Sequence, residues 1–301
     1  MSINVIIDAG HGYNTPGKCS APFKKTVTHD FQGNIVTVKK GECFKEHVAN
    51  VGVAYYLEEE LKKYGIGVIR SGWNDENAKD DVCPVNPSAD VVARQKEISP
   101  KDAIISISCH FNASGDGKTF NSGQGITVLC HSEKSKVGDS KELAEAVYKR
   151  LSNTFTEQKK RGIAYGSGWG MCNATALDVK AAIICEYAFM TNEYEAENYF
   201  CNPEAWYKYA VSTSLGIIDY ITCGNPIFNI IKSSSKEKVL WLQMRLNKYI
   251  SKGFINHPML TLDGVYGNKT AECYREFARN KKWPPATGWY VGSGGISSLS
   301  K

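Results

Sequence analysis

The stretch that most constrains the fold begins at Val5, where a short apolar run leads into Asp8-Ala9-Gly10-His11-Gly12. A run of this kind is typical of a buried strand, and the two glycines break it on either side of a histidine. Because glycine has no side chain, such a turn lets His11 reach a crevice without obstruction from its own backbone. The pattern therefore predicts a histidine at the end of a buried strand.

A second stretch repeats this pattern. Residues 103–110 form a run rich in β-forming residues that ends at His110 and continues into the polar residues 112–115. In open α/β folds, ligands bind at the carboxyl ends of the parallel strands. We therefore expect His11 and His110 to lie close together at one edge of a sheet, as paired ligands.

Strand-like and helix-like segments alternate along most of the chain, which predicts right-handed β-α-β units. We expect an α/β fold with a mostly parallel twisted sheet flanked by helices, plus a small helical C-terminal domain. The other main strands are expected at 34–38, 66–70, 125–130 and 181–186, and the helices at about 44–64, 88–98, 140–155 and 203–220.

The chain is predicted to form a large domain over 1–223, a linker over 224–236 and a C-terminal domain over 237–301. The last part is basic, since residues 236–301 carry 11 Lys/Arg against 4 Asp/Glu. Such a charge suits an anionic polymer as partner, although a solvated basic surface is an equal alternative. No apolar run reaches the roughly 20 residues of a membrane span, so no integral membrane segment is expected.

The ten cysteines are scattered, without a Cys-x-x-Cys pair, and the N-terminus lacks a signal-peptide pattern. We therefore expect reduced, mostly buried cysteines and synthesis in a cytoplasm without a signal peptide. The sequence leaves the oligomeric state open, a homodimer included.

Two strand-end histidines are two of the three protein ligands of a hydrolytic zinc site. The third is sought among acidic residues near the start of the first long helix, where Glu46 is preferred and Glu42 is the alternative. Glu186 ends the apolar strand 181–185, so its carboxylate is expected in the same crevice. Desolvation there would raise its pKa toward the range of a general base or acid, although pairing with Arg94 or Arg161 is the alternative.

Four ordered motifs resemble those of the zinc-dependent N-acetylmuramoyl-L-alanine amidases. They are 8–12 (DAGHG), Glu46 with Asn50 four residues later, 108–113 (SCHFNA) and 186–192 (EYAFMTN). The resemblance implies one Zn²⁺ held by His11, Glu46 and His110, with Glu186 as the catalytic carboxylate. It also implies, as substrate, the amide bond between N-acetylmuramic acid and L-alanine in peptidoglycan. Asn112 and Arg94 are the predicted substrate-binding residues.

The C-terminal part resembles a three-helix peptidoglycan-binding domain, through residues 241–246 (WLQMRL), 262–270 (LDGVYGNKT) and 288–292 (GWYVG). Thr270 is predicted to cap the second of its helices. Catalysis combined with wall targeting fits an endolysin of a phage or prophage, or an enzyme of mother-cell lysis. Such an enzyme would be made in the bacterial cytoplasm without a signal peptide and would act on the cell wall after lysis or release. The alternatives are a zinc peptidase of the stem peptide and a non-catalytic wall-binding protein. A nucleic-acid partner is not expected, because the aromatic residues of this part occupy core-like positions.

Overall fold

The computed structural model describes residues 3–98, 102–223, 229–283, 288 and 290–300. The strands are β1 (Asn4–Ala9), β2 (Val27–Phe31), β3 (Asn34–Val38), β4 (Gly67–Ser71), β5 (Ile105–Asn112), β6 (Ile126–His131), β7 (Lys160–Gly166), β8 (Ala181–Phe189), β9 (Ile230–Ile231) and β10 (Tyr290–Val291). The α-helices are α1 (Glu46–Lys63), α2 (Pro87–Ile98), α3 (Lys134–Val137), α4 (Ser140–Thr154), α5 (Glu193–Glu195), α6 (Pro203–Ile221), α7 (Lys236–Ser251), α8 (Asn268–Asn280) and α9 (Ser293–Leu299).

A six-stranded sheet in the order β4-β1-β5-β8-β6-β7 forms the centre of the fold. The pairs β1–β5, β5–β8 and β6–β7 are parallel, whereas β6 is antiparallel to β8. The predicted α/β class with a mostly parallel sheet is therefore confirmed. Since β1, β5 and β8 are adjacent and parallel, their carboxyl ends meet at one edge and bring the predicted site residues together.

Helices cover both faces of this sheet. On one face, α1 approaches α6 at Gly52, where an added Cβ would lie 2.2 Å from the Trp206 ring. In the same way α6 approaches α4 at Gly216, whose Cβ would lie 2.5 Å from Cα of Val147. On the other face, Ile98 of α2 and residues 171–177 share an apolar cluster with side chains of β1, β6 and β8. The sheet is thus buried on both sides, as its parallel part requires.

Most of the predicted elements agree with the structure, since α1, α2, α4 and α6 begin and end within about two residues of the predicted bounds. Strand β7 was not predicted, because the segment KRGIAYG lacks a clear apolar alternation and lies at the edge of the sheet. The long segment between His11 and α1 contains the hairpin β2–β3, which includes the predicted strand over 34–38.

The chain divides into two compact units, of which the larger comprises residues 4–58 and 68–216. The smaller one takes in 217–301 together with 1–3 and 59–67, so it is more than the predicted tail. Its core gathers α7, α8 and α9 around Trp241, Leu242, Phe277 and Val291. Part of the predicted linker is structured, because its strand β9 pairs with β10. Residues 224–228 of the predicted linker lie outside the described residues, and so does Trp289.

Thr270 does not cap α8 as predicted. The helix begins at Asn268, so Thr270 lies inside its first turn, where its hydroxyl accepts a hydrogen bond from Nε2 of Gln243. Gln243 also donates to Asp263 at 2.7 Å and so connects α7 to the Asp-Gly turn. These residues hold the helices of the smaller unit together. Among the described residues, none of the helices combines the length and apolar character needed to span a membrane.

Candidate metal centre

His11, Glu46 and His110 converge at the carboxyl ends of β1 and β5. Nε2 of His11 lies 3.3 Å from one Glu46 carboxylate oxygen, and Nδ1 of His110 lies 3.0 Å from the other. One possible ligand atom from each of the three residues lies within 4.8 Å of the corresponding atoms of the other two residues. The structure thus brings together the three residues that the sequence singled out as ligands.

The turn after β1 has an unusual backbone. His11 has φ of 63°, in the left-handed region that costs an L-residue roughly 1–2 kcal/mol. A Cβ added at Gly10 would lie 2.1 Å from Cε1 of His110, so only glycine leaves room for that ring. Strained backbone of this kind persists where the surrounding structure holds it, often at functional sites.

Glu46 is buried at the first turn of α1, with 1 % of its surface exposed. Its Oε1 also accepts a hydrogen bond from the backbone nitrogen of Phe111 at 3.2 Å. Burial alone would raise the pKa of Glu46, but the charges of His11 and His110 and their hydrogen bonds hold it well below its usual value. Burial lowers the pKa of His110, against the effect of Glu46. An ionised carboxylate beside a neutral imidazole is the state in which both bind a metal ion.

This donor set fits zinc. Two imidazole nitrogens and one carboxylate oxygen are the ligands of a well-known type of catalytic zinc site, which leaves one position open. The alternative ligand Glu42 lies elsewhere: it is exposed, and its carboxylate accepts a hydrogen bond from the backbone nitrogen of Lys39 at 3.1 Å. Of the two carboxylates that the sequence left open, the structure therefore places Glu46 at the centre.

Glu186 lies beside this centre. It is the register partner of His110 on the neighbouring strand β8, so the two side chains leave the same face of the sheet. Its Oε2 is shielded from solvent and has no hydrogen-bond partner among the residues that the structure describes. Neither of the alternative partners contacts it, since Arg94 pairs with Asp8 and Asp90 while Arg161 lies over the Phe189 ring. A buried polar atom without a partner needs an explanation, and a reacting molecule would supply one.

Burial, followed by the charge of Glu46, raises the pKa of Glu186 from 4.5 to about 8 in the metal-free protein. Because its pKa is raised, Glu186 makes its full contribution to the free energy of unfolding below pH 4.5. This contribution is lost as the pH rises to about 8. We expect the melting temperature of the metal-free wild type to fall, relative to that of the Glu186→Gln variant, across this window. Thermal unfolding of both proteins between pH 4 and 9 measures it. A difference that stays constant with pH would contradict the raised pKa.

Arg94, a predicted substrate-binding residue, forms buried ion pairs in the structure. Its guanidinium is buried, with 4 % of the residue exposed, and pairs with Asp8 at 2.6 Å and with Asp90 at 3.2 Å. Asp8 also accepts hydrogen bonds from Ser71 and Ser108. The network fixes the end of β1 just before the His11 turn. These contacts give Arg94 a structural role, and its contact with substrate stays a prediction.

Asn112 lies at the end of β5, two residues beyond His110 and half-buried. The β5–β8 register shifts between His110 and Asn112, and such bulges are frequent next to active sites. Its Oδ1 accepts a hydrogen bond from the backbone nitrogen of Ala113 at 2.8 Å. Contact of Asn112 with substrate stays a prediction.

His47 is a residue near the centre that the sequence analysis does not single out. The structure buries it, with 1 % of its surface exposed. Its two ring nitrogens contact the carbonyl oxygen of Gly10 and the carboxylate of Asp81. Asp81 comes from the loop after β4, and no spacing in the sequence relates it to His47. The one available signal was the position of His47 directly after a ligand.

Comparison with known proteins relates the larger unit to one family. Residues 5–219 match the family model Amidase_3, described as N-acetylmuramoyl-L-alanine amidase. Comparison with curated proteins finds no significant match.

Several solved structures share the fold. The CwlD amidase of Clostridioides difficile, solved in complex with the GerS lipoprotein, aligns with a TM-score of 0.55 at 20 % identity, covering 74 % of this chain and 100 % of its own. Ami1 of Mycobacterium abscessus aligns with a TM-score of 0.53 at 14 % identity (73 % and 99 %). CwlV of Bacillus (Paenibacillus) polymyxa aligns with a TM-score of 0.51 at 19 % identity (72 % and 97 %). At these identities the likeness shows the fold alone.

Proposed function

Since the chain belongs to the Amidase_3 family of N-acetylmuramoyl-L-alanine amidases, we propose that it is a zinc-dependent hydrolase of peptidoglycan. The bond cleaved is the amide between N-acetylmuramic acid and the L-alanine of the stem peptide, and Glu186 is the general base and acid. The observation that carries this proposal is the buried Oε2 of Glu186, which has no hydrogen-bond partner among the described residues and lies beside the His11–Glu46–His110 cluster.

His11, Glu46 and His110 would hold the ion. When bound, zinc supplies Lewis acidity, which polarises a carbonyl and acidifies water. With a cation held there, Glu186 would ionise more readily, because an opposite charge nearby lowers the pKa of a carboxyl group. Ionised Glu186 can then take a proton from the attacking water and deliver it to the departing amide nitrogen of L-alanine. Its partly desolvated position suits both steps, since a pKa near the working pH is best for proton transfer in either direction.

For the smaller unit we propose binding to the cell wall. Its basic charge over 236–301 favours an anionic polymer, and a tethered binding module raises the effective concentration of the catalytic unit at an insoluble substrate. We further propose that the protein acts on the wall after lysis or release, as an endolysin does. The homodimer stays a prediction, which sedimentation of the full chain would decide.

Hydrolysis of purified wall sacculi by the full chain tests the catalytic proposal. We expect new L-alanine amino termini, with the glycan strands intact, in step with falling turbidity. New amino groups within the stem peptide would instead identify a zinc peptidase. Wall binding without any new amino group would identify a non-catalytic wall-binding protein.

Removal of metal is expected to abolish this hydrolysis, because the proposed reaction needs the acidity that the ion supplies. Exhaustive chelation followed by buffer exchange should leave no detectable release of amino groups. Stoichiometric Zn²⁺ should restore it, whereas Mg²⁺, which prefers oxygen ligands, should not. Full activity in protein shown to be metal-free by elemental analysis would overturn the zinc part of the proposal.

A further inference from the structure

The carbonyl oxygen of Gly10, one residue before the ligand His11, accepts two hydrogen bonds from side chains of α1. Nδ1 of His47 lies 3.0 Å from this oxygen, and Nδ2 of Asn50 lies 2.9 Å from it. A carbonyl oxygen can only accept, so Nδ1 of His47 carries the proton and donates. Both side chains are shielded from solvent, with 1 % and 0 % of their surfaces exposed, so water does not compete for these bonds.

The far side of the His47 ring is fixed as well. Nε2 lies 3.1 Å from Oδ2 of Asp81, and Oδ1 of Asp81 accepts hydrogen bonds from the backbone and side chain of Asn74. The backbone carbonyl of Asp81 accepts a hydrogen bond from the nitrogen of Tyr13 at 2.8 Å. The loop after β4 therefore orients the imidazole and also holds the segment that follows the His11 turn.

We propose that His47 and Asn50 are positioning residues for His11. By holding the Gly10 carbonyl, they keep the next residue in its left-handed conformation, with φ of 63°, and so direct the His11 imidazole toward Glu46. His47 directly follows Glu46 on α1, so the start of this helix supplies one ligand and the support for another. The inference rests on the proposed zinc site, and it assigns no contact with substrate or metal to His47 or Asn50.

Two replacements of His47 separate its two contacts. The side-chain amide nitrogen of asparagine lies about as far from Cα as Nδ1 of histidine does. The side-chain amide nitrogen of glutamine lies about as far from Cα as Nε2 of histidine does. His47→Asn can therefore keep the bond to Gly10, and His47→Gln can keep only the contact with Asp81. Asn50→Asp serves as the matched change at the second donor, because it keeps the shape but places an acceptor against the carbonyl.

The measurement is Zn²⁺ affinity of the metal-free full chain, by competition with a chromophoric chelator. Supporting contacts of metal ligands are typically worth 10- to 100-fold in affinity, so we expect a loss of about that size for His47→Gln and Asn50→Asp. His47→Asn should stay close to the wild type. Thermal unfolding of each metal-free variant shows whether a general loss of stability explains the result. Equal affinities for His47→Asn and His47→Gln would overturn the inference.

A second readout separates this inference from the proposed function. In the metal-free protein, the backbone chemical shifts of His11 report whether it stays in the left-handed region. They should be retained in His47→Asn and displaced in His47→Gln; unchanged shifts in both would contradict the positioning role. If the wild type binds no zinc, the proposed function fails, and these shifts still decide whether His47 holds the turn.

Discussion

Replacing Glu186 with glutamine is expected to lower kcat for wall hydrolysis by about 10²- to 10⁴-fold, the usual contribution of general acid–base catalysis. Glutamine keeps the size of the side chain but can neither take a proton from water nor deliver one to the leaving nitrogen. The residue occupies the position beside His110 across the β5–β8 register, and its Oε2 has no competing partner among the described residues. Turnover is measured as the rate at which L-alanine amino termini appear.

Metal content distinguishes loss of the base from loss of the site. Glu186→Gln should bind zinc with the affinity of the wild type, because Glu186 is not among the three clustered ligands. Glu193→Gln is the matched control, since that carboxylate is more exposed and pairs with Lys24. Its activity should be unchanged. If Glu186→Gln were nearly as active as the wild type, another group would have to move the proton, and the proposed role of Glu186 would be wrong.

The parts of the fold that could be predicted are those in which a local pattern decides the outcome. The apolar runs before His11 and His110 form buried strands, and the amphipathic segments form the helices that cover them. The direction of β6 and the presence of β7 were not predictable in this way. β6 is antiparallel to β8, and this direction depends on the course of the chain before β6 and not on the residues of β6 itself. β7 is an edge strand with few apolar residues.

The candidate site shows the same division. Three residues could be picked out because each follows an apolar run or begins a helix near the predicted edge, and Glu186 could be added because it also follows an apolar run. Strands β5 and β8 extend beyond the predicted ends, to Asn112 and Phe189. The supporting contacts could not be picked out. Arg94 of α2 is buried against Asp8 of β1, and His47 is buried against Asp81 of a loop; no short sequence pattern specifies either pairing. A prediction from sequence therefore identifies the groups at the centre better than those that hold them.

Replacing Glu46 with glutamine is expected to remove zinc from the protein and to abolish hydrolysis with it. One Glu46 oxygen faces His110 and the backbone nitrogen of Phe111, and the other faces His11. An amide cannot supply two acceptor oxygens to these groups, and it lacks the negative charge that balances a divalent cation. Elemental analysis of the purified variant, and zinc titration followed by calorimetry, measure the loss.

The chain offers a close control for this change, because the sequence alone left Glu42 open as the third ligand. Glu42 is exposed, and among the contacts described its carboxylate accepts a hydrogen bond only from the backbone nitrogen of Lys39, so Glu42→Gln should bind zinc and hydrolyse wall as the wild type does. The pair of variants therefore compares two carboxylates four positions apart in sequence, of which one reaches the histidines. If zinc were lost from Glu42→Gln and kept by Glu46→Gln, the assignment of Glu46 would be reversed. If both variants kept zinc, the ion would be held by groups other than this cluster.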